Sequence, residues 1–237
     1  MLELIQTSLK SFAKGDFASN ALSFFKVLGY QSERQQPLDE KTFAGFSAYL
    51  NDEANFSEKN ALVSDWRYVD LLFQLTESEL NEQQGLFIST GIDDRITSYL
   101  FFALELTAEN YSRTALSQIT REINKVFPIP AMVLFKYGGY VTLAVIDRQP
   151  NKRDESKDVM RKVTLIKDIR FANPHRAHLE ILNDLSLLQL STKYTINSFL
   201  DLHQAWQKVL DTKELNKRFF KELANWYFWA VDKVTFP

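Results

Sequence analysis

The middle of the chain contains an amphipathic stretch between two apolar runs. In YSRTALSQITREINKVFP, residues 111–128, apolar side chains recur at helical spacing and form one stripe. The stripe consists of Leu116, Ile119, Ile123 and Val126. Prolines follow at once, and a proline cannot continue a helix. SYLFFALELT before the stretch and AMVLFKY after it are typical of buried strands, so the sequence predicts an α/β fold with a mixed sheet.

Further strands are predicted on both sides of this unit. WRYVDLLFQLT (66–76) and GLFIST (85–90) precede it, separated by the polar segment ESELNEQQ. The pair Gly138-Gly139 tolerates the positive φ that a tight hairpin needs, so residues 131–147 are predicted to form two strands. RKVTLIKDIRF (161–171) is a further strand, reached through the polar loop NKRDESKD.

Helices are predicted at both ends of the chain. At the N-terminus they are LELIQTSLKSFA, FASNALSFFKVLGY closed by Gly29, PLDEKTFAGFSAYL opened near Asp39, and a short helix in SEKNALVSD. From His175 onward the pattern is helical. We therefore predict N-terminal helices (1–62) that pack on a core, an α/β core (63–172) and a C-terminal helical extension (173–237).

The central element order resembles that of the PD-(D/E)xK nuclease core. That resemblance assigns Asp93 or Asp94 and Glu105 as catalytic residues, with Asp94 and Glu105 as ligands of a magnesium ion. The lysine expected two residues after Glu105 is Thr107, so we expect no cleavage. In place of that lysine, Lys125 or Arg121 on the next helix could direct a cation toward the site. The alternative is a degenerate core whose acids are ordinary loop and strand-end residues.

The charge of the chain is unevenly distributed. Residues 1–110 carry 17 acidic and 8 basic side chains, a balance of −9, whereas residues 111–237 carry 13 and 20, a balance of +7. Nine cations lie within residues 147–176, against five acids. The six that we predict to contact DNA are Arg148, Lys152, Arg153, Lys157, Arg161 and Lys162. A solvated loop with paired charges is the alternative, because KRDESKD interleaves both signs.

Two histidines, His175 and His178, stand three apart at the start of a helix. Metal binding would need further ligands, and Glu180 is poorly placed to join both. The spacing therefore favours a capped helix with surface histidines.

Three long stretches carry a resemblance to a known kind of protein. They are residues 111–148, residues 154–182 (DESKDVMRKVTLIKDIRFANPHRAHLEIL) and residues 211–231 (DTKELNKRFFKELANWYFWAV). They resemble the N-terminal region of large bacterial fused restriction–modification proteins of the type IIG kind, whose methylase domain modifies adenine in DNA. The resemblance implies a longer natural protein with a downstream methyltransferase domain as partner. S-adenosylmethionine would bind only in that domain, because the glycine-containing loop and the Asn-Pro-Pro-Tyr tetrapeptide do not occur in this sequence.

The aromatic run at residues 226–229 fits the same expectation. Four consecutive aromatic side chains point in four directions on a helix, and one domain surface cannot bury them all. We therefore expect at least one of them to be more than half exposed in this chain, or to be buried only against a second copy of it.

The sequence predicts a cytoplasmic protein. It contains no cysteine, no signal-peptide pattern and no apolar run of membrane-spanning length. Taken together, these features predict an N-terminal module of a DNA restriction–modification or phage-defence protein that contacts DNA, with metal-dependent cleavage if Glu105 binds metal. The alternative is a non-catalytic scaffold that docks the methyltransferase or partner subunits.

Overall fold

The structure is a computed structural model that describes residues 1–50, 55–84, 98–150 and 158–233. The helices are α1 (Leu2–Ser11), α2 (Phe17–Val27), α3 (Phe43–Ser47), α4 (Glu58–Ala61), α5 (Glu77–Gln84), α6 (Arg113–Val126), α7 (Arg176–Asp184), α8 (Leu187–Lys193), α9 (Phe199–Val209) and α10 (Thr212–Lys233), with a 3-10 turn at Val63–Asp65. The strands are β1 (Trp66–Thr76), β2 (Ser98–Leu106), β3 (Ala131–Tyr137), β4 (Tyr140–Pro150) and β5 (Asp158–Arg170).

The described strands form one mixed sheet in the order β1-β2-β3-β4-β5. The pair β2–β3 is parallel, and the pairs β1–β2, β3–β4 and β4–β5 are antiparallel. The predicted mixed α/β class is confirmed. The two-residue turn at Gly138-Gly139 is also confirmed, since Tyr137 pairs with Tyr140 across it and Gly138 has φ +49.

The side chains of a strand alternate between the two faces of the sheet, so both faces carry apolar side chains here, and helices cover both. On the first face, residues such as Phe101 and Leu134 pack against α1, α2 and α7–α9. On the second face, residues such as Phe102 and Val133 pack against α3, α4 and α6. Helices α1 and α2 from the N-terminal region and α7–α9 from the region after residue 173 therefore share the first core with the sheet.

Helix α6 forms where its stripe predicts it. Ser112 Oγ accepts the first-turn N–H of Ala115 (3.0 Å), and the backbone becomes extended at Phe127 before the prolines. Near the end of the helix, the Asn124 side chain accepts a hydrogen bond from the N–H of Ala131, the first residue of β3, and donates one to its carbonyl. These bonds position β3 beside β2 and so set the parallel register.

The predicted helix opened near Asp39 is wrong in extent, since only Phe43–Ser47 is helical. The preceding backbone is bound to β1 instead. Asp70 accepts hydrogen bonds from the Leu38 N–H (2.9 Å) and the Lys41 ammonium (2.8 Å), and the Lys41 carbonyl accepts from the Val69 N–H (3.0 Å). These contacts across β1 replace the hydrogen bonds of a helix.

The polar segment after β1 forms helix α5. Glu79 accepts hydrogen bonds from the N–H and hydroxyl of Thr76 (2.9 and 2.7 Å), which satisfies an N–H at the start of the helix. The predicted strand at 85–90 lies outside the described residues.

Candidate functional site

An acid and a lysine meet at the carboxyl end of the parallel strand pair. Glu105 on β2 is in register with Lys136 on β3, and Lys136 Nζ lies 3.3 Å from Glu105 Oε1. Arg67 approaches the same oxygen from β1 at 3.6 Å. The side chains of Glu105 and Lys136 are 19% and 20% exposed, so the pair is largely buried but still reaches solvent.

The strand pattern accounts for this placement. Phe101 and Ala103 point into the first core, and Glu105 follows on the same face as β2 nears its end. Likewise, Lys136 follows Leu134 by two positions on β3 and therefore lies on the same face of the sheet. The Lys136 ammonium also lies 5.4 Å from the centroid of the Phe17 ring, a cation–π contact that fixes its orientation.

The predicted catalytic residues are only partly brought together. Asp93 and Asp94 lie outside the described residues, so only Glu105 can be located. Thr107 has a structural contact, in which its N–H donates to the Asp65 carbonyl (2.9 Å). The suggestion that α6 sends Lys125 or Arg121 to this site is wrong, because α6 packs on the second face of the sheet, whereas Glu105 faces the first. Lys125 instead bonds Glu122 at 2.7 Å.

The cation beside Glu105 comes from β3, which sequence reasoning missed. The only available signal was the lone lysine in VLFKY, and its relation to Glu105 depends on a strand register that spacing alone does not give.

The charges constrain what this site can bind. A divalent ion at Glu105 would add a third positive centre beside Arg67 and Lys136, so at least one further carboxylate is required to hold it. Among the described residues, no group of three or more metal-ligating acids or histidines is placed to hold a metal ion. The predicted ligand Asp94 and the alternative Asp93 lie outside the described residues, so the magnesium site stays a prediction.

Strand β1 carries a buried carboxylate that accepts three hydrogen bonds. Asp70 is 3% exposed and, besides Leu38 N and Lys41 Nζ, accepts from the Tyr68 hydroxyl at 3.2 Å. Burial, and secondly the charge of Asp70, raise the pKa of Tyr68. Because its donors hold Asp70 in place, we assign it a structural role.

Three of the six predicted DNA-contacting cations belong to a two-stranded ribbon. β4 and β5 stay paired from Tyr140–Arg170 to Pro150–Asp158, whereas β3 pairs with β4 only as far as Ala144. Within the described chain, residues 145–150 therefore pair only with β5. This segment and its partner carry Arg148, Arg161 and Lys162, and the backbone of Lys162 is opposite Asp147. Lys152, Arg153 and Lys157 lie in the connecting segment, outside the described residues.

The histidines have different environments. His175 is exposed and accepts the Ala177 N–H at 3.2 Å as the cap of α7, as the sequence predicts. His178 is half-buried rather than on the surface, and burial lowers its pKa.

His203 on α9 is buried, and sequence reasoning missed it. Its Nδ1 lies 2.6 Å from the Tyr99 hydroxyl, and its Nε2 lies 3.6 Å from Asp147 Oδ1. Burial lowers its pKa, and the nearby Asp147 opposes that shift. The contact joins α9 to β2 and β4.

The expectation for residues 226–229 is confirmed, since all four residues are more than half exposed.

In comparisons with known proteins, no family model, curated protein or solved structure matches the chain. No helix in the described part of the chain combines the length and apolar character needed to cross a membrane.

Proposed function

We propose that the chain is a DNA-contacting module of a restriction–modification or phage-defence protein. The observation that carries this proposal is the β4–β5 ribbon with its basic residues. A two-stranded ribbon has the width that the major groove of duplex DNA admits. Cations along such a ribbon and its connecting segment contact phosphates, which gives affinity without strong base preference.

The net charge of the surrounding chain supports the same proposal. Residues 111–237, which include the ribbon, carry a balance of +7. Arg170 lies further along β5, with its Nη2 3.4 Å from the Tyr140 hydroxyl, and its side chain is exposed. Positive potential on this half attracts a polyanion before any specific contact forms.

The salt dependence of DNA binding tests the proposal. Each phosphate contact contributes about −0.9 to the slope of log K against log salt. Replacing Lys152, Arg153 and Lys157 together by alanine should therefore flatten the slope by up to about three units. The matched control replaces three exposed lysines of the N-terminal segment, Lys10, Lys14 and Lys26, and should leave most of the slope unchanged. Absence of binding at low salt, or equal effects of both triple variants, would contradict the proposal.

We extend the proposal to a nuclease-like core with slow metal-dependent cleavage. Its support is the pairing of Glu105 with Lys136, which places an ammonium beside the acid although residue 107 is threonine. In this proposal Asp93 or Asp94 completes the metal site, the metal activates water, and Lys136 stabilises charge on the phosphate.

A further inference from the structure

Two cations share one carboxylate oxygen at the carboxyl end of the β2–β3 pair. Lys136 Nζ and Arg67 Nη1 lie 3.3 Å and 3.6 Å from Glu105 Oε1, and we call these three residues the Glu105 cluster. Both distances exceed the length of about 2.7–2.9 Å that is typical of a charge-assisted hydrogen bond. In the described part of the chain, neither cation pairs with a second acid. The Glu105 cluster therefore carries one positive charge in excess.

The neighbouring acids do not cancel this excess. Tyr68 lies opposite Glu105 on β1, and the acids whose charges act on it are Asp70 and Asp16. Asp70 accepts from the ammonium of Lys41 at 2.8 Å. Asp16 accepts two hydrogen bonds of 2.8 Å at the start of α2, where a helix favours a negative charge. Each acid thus has its own positive partner, and the excess at the Glu105 cluster remains.

A β-bulge directs Arg67 toward the cluster. Trp66 pairs with Leu106 on β2, and the next pair along β1 is Tyr68 with Glu105. Arg67 is therefore an extra residue on β1 without a partner of its own on β2. In a regular strand, Arg67 and Tyr68 would point to opposite faces of the sheet. A bulge changes the direction of a side chain, and bulges are frequent beside functional sites.

The two cations differ in how far they are exposed. The Lys136 ammonium lies 5.4 Å from the ring centroid of Phe17, which is 5% exposed and packs edge-on against Tyr68. Arg67, in contrast, is 61% exposed. A guanidinium presents several N–H donors in a planar fork, and an ammonium adds more. One carboxylate oxygen cannot satisfy them all, so donors of both cations are left for a second anion on the solvent side.

We propose that Arg67 and Lys136 form a subsite that binds a phosphate group without a metal ion, while Glu105 fixes the position of both cations. The excess positive charge attracts an oxyanion, and the partial burial of Lys136 strengthens that attraction. The fork of an arginine matches two oxygens of a phosphate. A backbone phosphate of DNA and free phosphate share this chemistry. The subsite goes beyond the contact proposed for the ribbon and depends neither on it nor on cleavage.

Nuclear magnetic resonance titrations in EDTA test the subsite with two probes, inorganic phosphate and the dinucleotide thymidylyl-thymidine. At least one probe should shift the side-chain signals of Arg67 and Lys136, and the probe that binds more tightly identifies the source of the phosphate. Arg67→Ala and Lys136→Met should each weaken binding by about tenfold, followed on the cation that remains. Glu105→Gln should strengthen metal-free binding roughly two- to fivefold, because it removes the negative charge of the cluster.

Arg34→Ala is the matched control. Arg34 is 60% exposed and lies 3.6 Å from Glu79, which is 18% exposed, so this pair closely resembles Arg67 with Glu105. Glu79, however, accepts three further hydrogen bonds from side chains and backbone around it. Arg34→Ala should therefore bind both probes like the unmodified chain. Far-UV circular dichroism and urea unfolding verify that each variant remains folded.

Three results would overturn the subsite: no shift with either probe, equal effects of Arg67→Ala and Arg34→Ala, or weaker metal-free binding by Glu105→Gln. The salt dependence of DNA binding separates this outcome from failure of the ribbon proposal. If only the subsite fails, replacing Lys152, Arg153 and Lys157 still flattens the slope. If the chain binds a probe through Arg67 but does not bind DNA, the ribbon proposal fails and the subsite stands.

Discussion

Lys136 Nζ lies 3.3 Å from Glu105 Oε1 across the parallel β2–β3 pair. The two residues are thirty-one positions apart in sequence, and they meet because both follow core residues on the same face of neighbouring strands. A slip of one residue in either strand would turn one of them to the opposite face. Burial of the apolar residues before them therefore fixes the acid–lysine pair.

This pair makes cleavage testable at two positions. Magnesium or manganese should support slow nicking of supercoiled plasmid, and Glu105→Ala and Lys136→Met should each abolish it, because one removes a metal ligand and the other the stabilising ammonium. Lys125→Met, on the second face of the sheet, should retain it. Nicking that survives Glu105→Ala would show that the activity arises elsewhere. Urea unfolding of both variants verifies that they remain folded, so that loss of fold does not account for lost activity.

Replacing Asp70 should be among the more destabilising single changes. Asp70→Ala removes the acceptor shared by Leu38 N, Lys41 Nζ and the Tyr68 hydroxyl, and it leaves buried donors without partners. We expect the free energy of unfolding to fall by about 3 kcal/mol, a figure that allows for the partial exposure of Lys41. Urea denaturation measures it.

Asp39→Ala is the control for this prediction, since Asp39 is exposed and the change should stay within about 0.5 kcal/mol. Equal effects of the two substitutions would show that the network around Asp70 does not hold residues 38–42 against β1.

The sequence predicts those elements whose evidence is local. The stripe of Leu116 and Ile123 and the turn at Gly138-Gly139 each specify their structure within a few residues, and both are confirmed. Residues 38–42 were mispredicted because a contact with Asp70, some thirty residues away, decides their conformation. A local pattern contains no information about such a partner.

The same reasoning explains which site residues could be found. Glu105 was identifiable as an acid at the end of a strand, but its pairing with Lys136 depends on a parallel register. His203 meets Tyr99 across 104 positions of the chain, and no spacing rule relates them. Asp93 and Asp94 lie outside the described residues, so their assignment remains a prediction.

Gly29 should not tolerate a side chain. Its φ is +91, which L-residues with a Cβ rarely adopt, and an added Cβ would lie 2.9 Å from Leu187 Cβ. Gly29→Ala should therefore lower the free energy of unfolding by roughly 1–3 kcal/mol and loosen α8 from α2. Gly139→Ala is the control, because an added Cβ there meets nothing within 4 Å. Similar thermal midpoints for the two variants would contradict the prediction.

His203 should make the fold sensitive to acid. Burial places its pKa in the folded chain below the ordinary value of 6.5, although Asp147 opposes the shift. Below about pH 6.5 the unfolded chain therefore binds a proton more readily than the folded chain. As the pH falls below that value, the free energy of unfolding decreases by up to about 1.4 kcal/mol per pH unit for this residue. His178 adds to the same trend, because burial also lowers its pKa. His203→Gln removes the titrating group while keeping a polar side chain beside Tyr99. In urea unfolding between pH 7.5 and 5, the free energy of unfolding of this variant should therefore fall less steeply with pH. Adding His178→Gln should make the fall smaller still. If His203→Gln declines as steeply as the unmodified chain, the acid sensitivity arises from other groups, and protonation of His203 does not limit stability.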